Sequence, residues 1–245
     1  MEGLTRTELD QKERRDVAKT IKLRPRDAAT LILLDRREGK FHVLMGRRHH
    51  KHVFMPGRFV FPGGRTDPTD SRIPVAAPLH PAEQEKLLLP RMSESRARAI
   101  ALSAIRETYE EAGLLIGHKA PFSTRNPNWQ GFIDHGVQPS LDELRYIGRA
   151  ITPPGRTRRF DTRFFAVWRE AVTMEMPEGA PTDELEELAW LPIQAARELE
   201  IPPITRTILT ELEQRLADDP HLTPGAGTVP FYFMRNNRFM REVVE

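Results

Sequence analysis

The chain has 245 residues, 37 Lys and Arg against 35 Asp and Glu, a formal charge of +2 and no cysteine. That length supplies ample core for one elaborated domain or two small ones, and the missing cysteine excludes disulfides and thiolate metal sites. The charge balance is too mild for a nucleic-acid binder, no apolar run nears the roughly 20 residues of a membrane span, and the charged segment 1–22 lacks a signal-peptide core, so a soluble cytoplasmic protein is expected.

Residues 1–22 read as a polar N-terminal segment. The apolar runs 28–34 and 41–45 flank the charged stretch Asp35-Arg36-Arg37-Glu38-Gly39-Lys40, the pattern of a hairpin. Residues 58–61 are a brief strand leading into Gly63-Gly64. Two glycines permit positive φ and close backbone approach, and Pro62 fixes the entry to that turn. Asp67 and Asp70 either form Asx turns beside Pro68 or stand behind a site as supporting acids. Residues 71–92 are proline-rich, with a short helix expected over 81–89.

Ala97, Ile100, Ala101, Ala104, Ile105, Thr108 and Ala112 recur at helical spacing. Ser93 or Ser95 is available as N-cap, and Gly113 falls where a left-handed C-terminal residue belongs. The helix is therefore predicted over about 95–112. On it Glu107 has Glu110 at i+3 and Glu111 at i+4, with Arg106 alongside. Each like-charge pair at such spacing costs roughly 0.2–0.5 kcal/mol in water. The plain reading is a solvated acidic face; the chemical one is a cation site, whose hard oxygen ligands suit Mg²⁺ or Mn²⁺.

Pro127 marks a loop, and 141–145 is read as closing a short helix. Strands are expected over 146–151 and 162–168, around Pro153-Pro154-Gly155, with an edge strand over 171–176 and another strand over 188–191. Helix 203–217 carries Ile204, Ile208, Leu209, Leu212 and Leu216 inward. The apolar segment 229–234 docks on the domain or on a partner subunit, which allows a homodimer. The division is thus 1–22, a domain over 23–217 with an insertion at about 71–92, and a tail over 218–245. Mixed strands with paired helices suggest an α/β/α sandwich.

Phe61-Pro62-Gly63-Gly64 followed by Arg106-Glu107-Thr108-Tyr109-Glu110-Glu111-Ala112-Gly113-Leu114 resembles the box of the Nudix hydrolases. That box runs Gly, five residues, Glu, seven residues, then Arg-Glu-(apolar)-x-Glu-Glu-x-Gly-(apolar). Gly64 fills its first position, Asp70 stands where the family has Glu, and Arg106, Glu107, Glu110, Glu111, Gly113 and Leu114 fill the second half. Thr108 replaces an aliphatic residue, and 35 residues, 71–105, separate the halves where the family has seven. The resemblance implies an α/β/α sandwich with a mixed sheet and an insertion within the box. It further implies hydrolysis of a nucleoside diphosphate linked to a second moiety, dependent on Mg²⁺ or Mn²⁺. Glu107, Glu110 and Glu111 are carried over as ligands, together with the carbonyl of the Gly63-Gly64 turn at Gly64. Arg106 is carried over as the partner of the earlier acid, here Asp70, orienting a carboxylate through its planar fork. Some members recruit a late Glu to deprotonate water; here the candidates are Glu184 and Glu187, in an acidic turn before the 188–191 strand.

Leu44-Met45-Gly46-Arg47-Arg48 and the stretch from Gly57 to Gly63-Gly64 are similar in part to the coenzyme A-directed branch. Arg47 matches its first arginine, Arg48 replaces its Ser, and its second arginine falls near His52 only after a one-residue shift. Arg47, Arg48, Lys51 and Arg58, with Gly63 and Gly64, would then bind substrate as an electropositive rim suited to phosphates; otherwise they form a solvated basic loop. His49, His50 and His52 lack ligand spacing. The basic run 156–159 either lines the substrate mouth or is solvated surface. Trp129 and Phe132 are candidates for stacking on a base, whereas Trp168 fits core packing. The expected partner is a small-molecule diphosphate, with coenzyme A or its esters favoured over ADP-ribose or NADH, and without nucleic acid or membrane. A Nudix-fold nucleotide-binding or regulatory module without catalysis is the alternative.

Overall fold

In a computed structural model, which describes residues 23–49, 57–88 and 92–244, β1 (Arg26–Arg37) turns directly into β2 (Lys40–Arg48). The turn residues Glu38 and Gly39 have φ of 50° and 73°, the left-handed geometry that matches strand twist in a two-residue hairpin. Short strands β3 (Phe59–Val60) and β4 (Gly63–Arg65) lead to a 3-10 turn over Pro68–Arg72, helix α1 (Pro81–Leu87) and the long helix α2 (Glu94–Ala112). Next come β5 (Leu114–Lys119), a 3-10 turn over Pro127–Trp129, α3 (Gln130–Asp134), β6 (Val137–Pro139), β7 (Arg145–Ile151), β8 (Phe160–Trp168) and β9 (Val172–Glu175). The chain continues through β10 (Leu185–Pro192), α4 (Ile193–Glu198), α5 (Pro203–Asp218), β11 (Val229–Arg235) and β12 (Arg238–Val244).

The main sheet runs β10-β2-β1-β8-β7-β11-β12, with β3 on β2 and β4 on β1; β6-β5-β9 form a smaller sheet. β1 pairs parallel to β8 and β7 parallel to β11, while the other pairs of the main sheet are antiparallel. Side-chain alternation divides the core between the two faces. Leu31 and Leu33 of β1 and Phe165 of β8 pack with Ile100, Ala104 and Ile105 of α2. Their neighbours Ile32, Leu34 and Phe164 pack with Ile208, Leu209 and Leu212 of α5. A sheet covered by helices on both faces gives the α/β/α sandwich, and it explains why Leu31 to Leu34 read as one apolar run instead of alternating.

Residues 141–144 form a turn, not the expected short helix. One turn, closed by the Leu144 amide on the Leu141 carbonyl at 3.1 Å, buries both leucines, and β7 begins at the next residue. The late apolar segment enters the main sheet beside β7 as the first strand of a hairpin. Segment 1–22 and His50, Lys51 and His52 lie outside the described residues. Among the described residues, no helix is long and apolar enough to cross a membrane.

Candidate active site

Helix α2 starts at Ser93, whose hydroxyl accepts from the Arg96 amide, and stops at Gly113 with φ 68°. Between these caps its buried residues extend beyond the expected stripe, Thr108 included, to Arg106 and Glu111. The C-terminal half of the helix therefore carries its charged residues into the protein, under β4 and the Pro68–Arg72 turn.

Arg106 organises that region. It is 5% exposed, and its Nε donates to Asp70 Oδ2 at 3.0 Å. Its Nη1 donates to Glu110 Oε2 at 2.6 Å, and Nη2 reaches the Arg65 carbonyl at 3.1 Å and Glu107 Oε1 at 2.7 Å. Asp70 thus serves the arginine across the 35-residue gap, because the 3-10 turn delivers its short side chain beneath the helix. Asp67 does different work: it caps that turn, accepting from the Thr69 amide at 2.8 Å.

Glu111 is 2% exposed and accepts from the Gly63 amide at 3.0 Å. Of the two reasons for a Gly-Gly pair, only close approach applies, since neither glycine has positive φ. A Cβ on Gly63 would meet the Ala29 carbonyl at 2.6 Å, and one on Gly64 would strike the Glu107 carboxyl carbon at 2.5 Å. Strand β4 is pressed between β1 and the carboxylates, leaving no room for a side chain on either side.

Burial pushes the Glu107 carboxyl up to about 7 against the opposing pull of Arg106, with Glu110 and Glu184 adding to the rise. Burial likewise raises Glu110 and, well above the usual range, Glu111. Three carboxylates, those of Asp70, Glu107 and Glu110, share the Arg106 guanidinium at close range, and Glu111 is buried beside them on the Gly63 amide, so the patch carries an excess of acidic groups. Among the described residues, no three acidic or imidazole groups converge on one point at ligating range; Glu107 and Glu110 both turn to Arg106. The all-oxygen donor set and the uncompensated charge nevertheless fit a hard divalent cation. Beside Glu107 opens a cleft of about 280 Å³, walled by Arg65, Thr66, Asp67, Arg106 and Asn128. A larger cavity of about 490 Å³, bordered by Arg36, His118, Asp142 and Trp168, contains none of these groups.

The two late glutamates separate. The Thr182 amide and hydroxyl both bond the Glu110 carbonyl, at 3.1 and 2.8 Å, and this ties the following loop to the helix end. Glu184 consequently adds negative charge to Glu107, Glu110 and Glu111 alike. Glu187 sits with φ 50° at a break in β10 register and forms an ion pair with Arg47. On the other side, the Arg48 amide donates to the Arg58 carbonyl at 2.9 Å, and the Arg48 charge reaches Glu111. Arg47, Arg48 and Arg58 are therefore neighbours at one corner of the sheet. His49 lies 3.2 Å from Glu186.

Trp129 and Phe132 are fully buried and offer no face to a base. Trp129 instead donates from Nε1 to Asp70 Oδ1 at 2.9 Å. Nothing in the local sequence signals that contact, nor the place of Thr66 and Asn128 at the cleft. Trp168 is half-buried, with the Arg36 guanidinium 4.5 Å over its ring. In the basic run, Arg159 is spent on backbone, donating to the Thr152 and Leu23 carbonyls.

No protein-family model matches the sequence, and no curated protein does. Among solved structures, the chain is similar to a NUDIX hydrolase from Alicyclobacillus acidocaldarius at 25% identity and TM-score 0.61, covering 83% of this chain and 98% of that one. The NUDIX domain of Shewanella oneidensis NrtR, crystallised with ADP ribose, aligns at 11% identity and TM-score 0.45, over 87% and 99% of the two chains. A C. elegans Ap4A hydrolase aligns at 14% identity and TM-score 0.42, over 78% and 98%. The α/β/α sandwich is thus the fold of a NUDIX hydrolase to which this chain is similar over most of its length.

Proposed function

We propose that the chain is a divalent-metal-dependent hydrolase that cleaves the pyrophosphate linkage of a nucleoside-diphosphate-type substrate, with coenzyme A or its esters favoured. The observation that carries this reading is the gathering of Glu107 and Glu110 on Arg106, with Glu111 buried beside them, against two strand glycines that leave no room for a side chain. Mg²⁺ or Mn²⁺ bound there supplies charge for the phosphate oxygens and lowers the pKa of an attacking water. Glu107, Glu110 and Glu111 would hold it through carboxylate oxygens, and the resemblance to the Nudix box adds the Gly64 carbonyl to them. Arg106 orients Glu107 and Glu110. Glu184 accepts the proton of the water at its carboxylate; Glu187 is the weaker candidate because it is committed to Arg47. Arg47, Arg48 and Arg58 bind the phosphates, Arg47 exchanging Glu187 for substrate. Partial similarity to the coenzyme A-directed branch and the clustering of these arginines favour that substrate over ADP-ribose or NADH.

Turnover of coenzyme A esters, ADP-ribose, NADH and dinucleoside polyphosphates, each with Mg²⁺ and Mn²⁺, tests the reading. Hydrolysis of one of them that stops on chelation is expected. Glu110→Gln keeps the shape of the side chain and removes a ligand charge, so turnover should fall more than about a hundredfold with the fold intact. Ligand binding without metal-stimulated turnover would return the chain to the binding-module alternative.

A further inference from the structure

Asp70 is fully buried and one methylene shorter than the Glu of the family's box. Its two oxygens are both engaged: Oδ2 accepts from Arg106 Nε at 3.0 Å and Oδ1 from Trp129 Nε1 at 2.9 Å. An indole N–H only donates, so it reserves Oδ1 and leaves Oδ2 to the arginine. That contact sets the plane of the guanidinium, whose other nitrogens address Glu107 and Glu110. The residue doing this is held firmly. Trp129 is fully buried, its ring lies 5.0 Å from Phe132, and Phe132 stands edge-on to Tyr109 at 5.4 Å. Tyr109 adjoins Glu110 on α2. The turn is pinned to the Asp70 segment a second time, by the Asn126 amide on Thr69 Oγ1 at 3.2 Å.

We propose that Trp129 is a positioning residue for the metal ligands, acting through Asp70 and Arg106 to aim Glu107 and Glu110. This rests on the metal-dependent reading above. A side chain nearly 60 positions from Asp70 in sequence replaces the reach that the shorter acid lost, and the 127–129 turn becomes a brace of the site and not merely core.

The test is Mn²⁺ binding by calorimetry and electron paramagnetic resonance on the full chain, with Trp129→Phe beside the wild type. The variant is expected to fold, to bind Mn²⁺ about 10–100-fold more weakly, and to lose turnover at low Mn²⁺ but regain it at saturation, with substrate KM at saturating metal unchanged. Replacing Trp129 by β-(3-benzothienyl)alanine keeps the ring volume and deletes only the donor; it should reproduce the weaker binding even if the phenylalanine variant fails to fold. Wild-type binding with unchanged Mn²⁺ affinity in the folded variants, whatever their melting temperature, overturns the role of Trp129 and leaves the proposed function standing. A wild type that binds no Mn²⁺ in either experiment overturns both.

Discussion

Gly64 shows how tightly single atoms constrain this site. Its backbone is an ordinary strand conformation that any residue adopts, so alanine there introduces no φ strain. What forbids the methyl is the Glu107 carboxyl, 2.5 Å from where its carbon would stand. Glu107 must then swing out of its contact with Arg106 Nη2. Gly64→Ala is therefore expected to reduce turnover by about 10–100-fold, a loss of the size seen when metal ligands are misoriented, while circular dichroism and the melting temperature change little. Turnover equal to wild type would mean that Glu107 does not need its present position. Gly63→Ala is a different case, because its methyl would meet the Ala29 carbonyl of β1; that variant should lose stability first.

At the scale of elements, α2 was legible because its signals agree: helical apolar spacing, a serine cap and a terminal glycine all fall in one register. The acidic trio was legible for the same reason. What the sequence hides is the context that makes the trio expensive. Strand β5 and helices α3 and α4 have too few residues for periodicity to declare them, yet β5 and the loop pinned at Thr182 close over the end of α2. The resulting burial has a pH signature. A carboxyl whose folded pKa is raised keeps its proton in the native state after the unfolded chain has released it. For Glu107 that window runs from the ordinary 4.5 to about 7. Below the window both states are protonated, and above it both are ionised. Stability of chelated protein should thus fall as pH rises through the window, by about 3 kcal/mol from this group alone. Glu110 and Glu111 are shifted in the same direction. Urea melts at pH 5 and 7.5 should show the drop, and Mn²⁺ should reverse it at the higher pH by mass action on the folded state. Stability that instead climbs steadily across this range would show that the trio is not desolvated.

For the molecule as a whole, the question left by the split box is what its insertion does. Helix α1 answers through Glu83, fully buried and in contact with two distant backbone groups. Its Oε2 accepts from the Tyr146 amide of β7 at 2.9 Å and its Oε1 from the Gly225 amide at 2.8 Å. Lys86, one turn on, donates to the Ala226 and Gly227 carbonyls at 3.1 and 2.9 Å. The insertion therefore links the centre of the main sheet to the loop that launches β11, rather than hanging over the cleft. No short-range pattern betrays this, since the partners lie 63 and 142 positions away. Glu83→Ala would strand two backbone amides and leave Lys86 without its nearby charge. Each amide left without an acceptor costs about 1–3 kcal/mol, so the variant should lose on the order of 3 kcal/mol of unfolding free energy in urea. Because Glu83 touches none of the groups around Arg106, Mn²⁺ affinity and turnover per folded molecule should remain those of the wild type. A variant that melts normally but hydrolyses poorly would make the insertion part of the active site instead of a strut across the sheet.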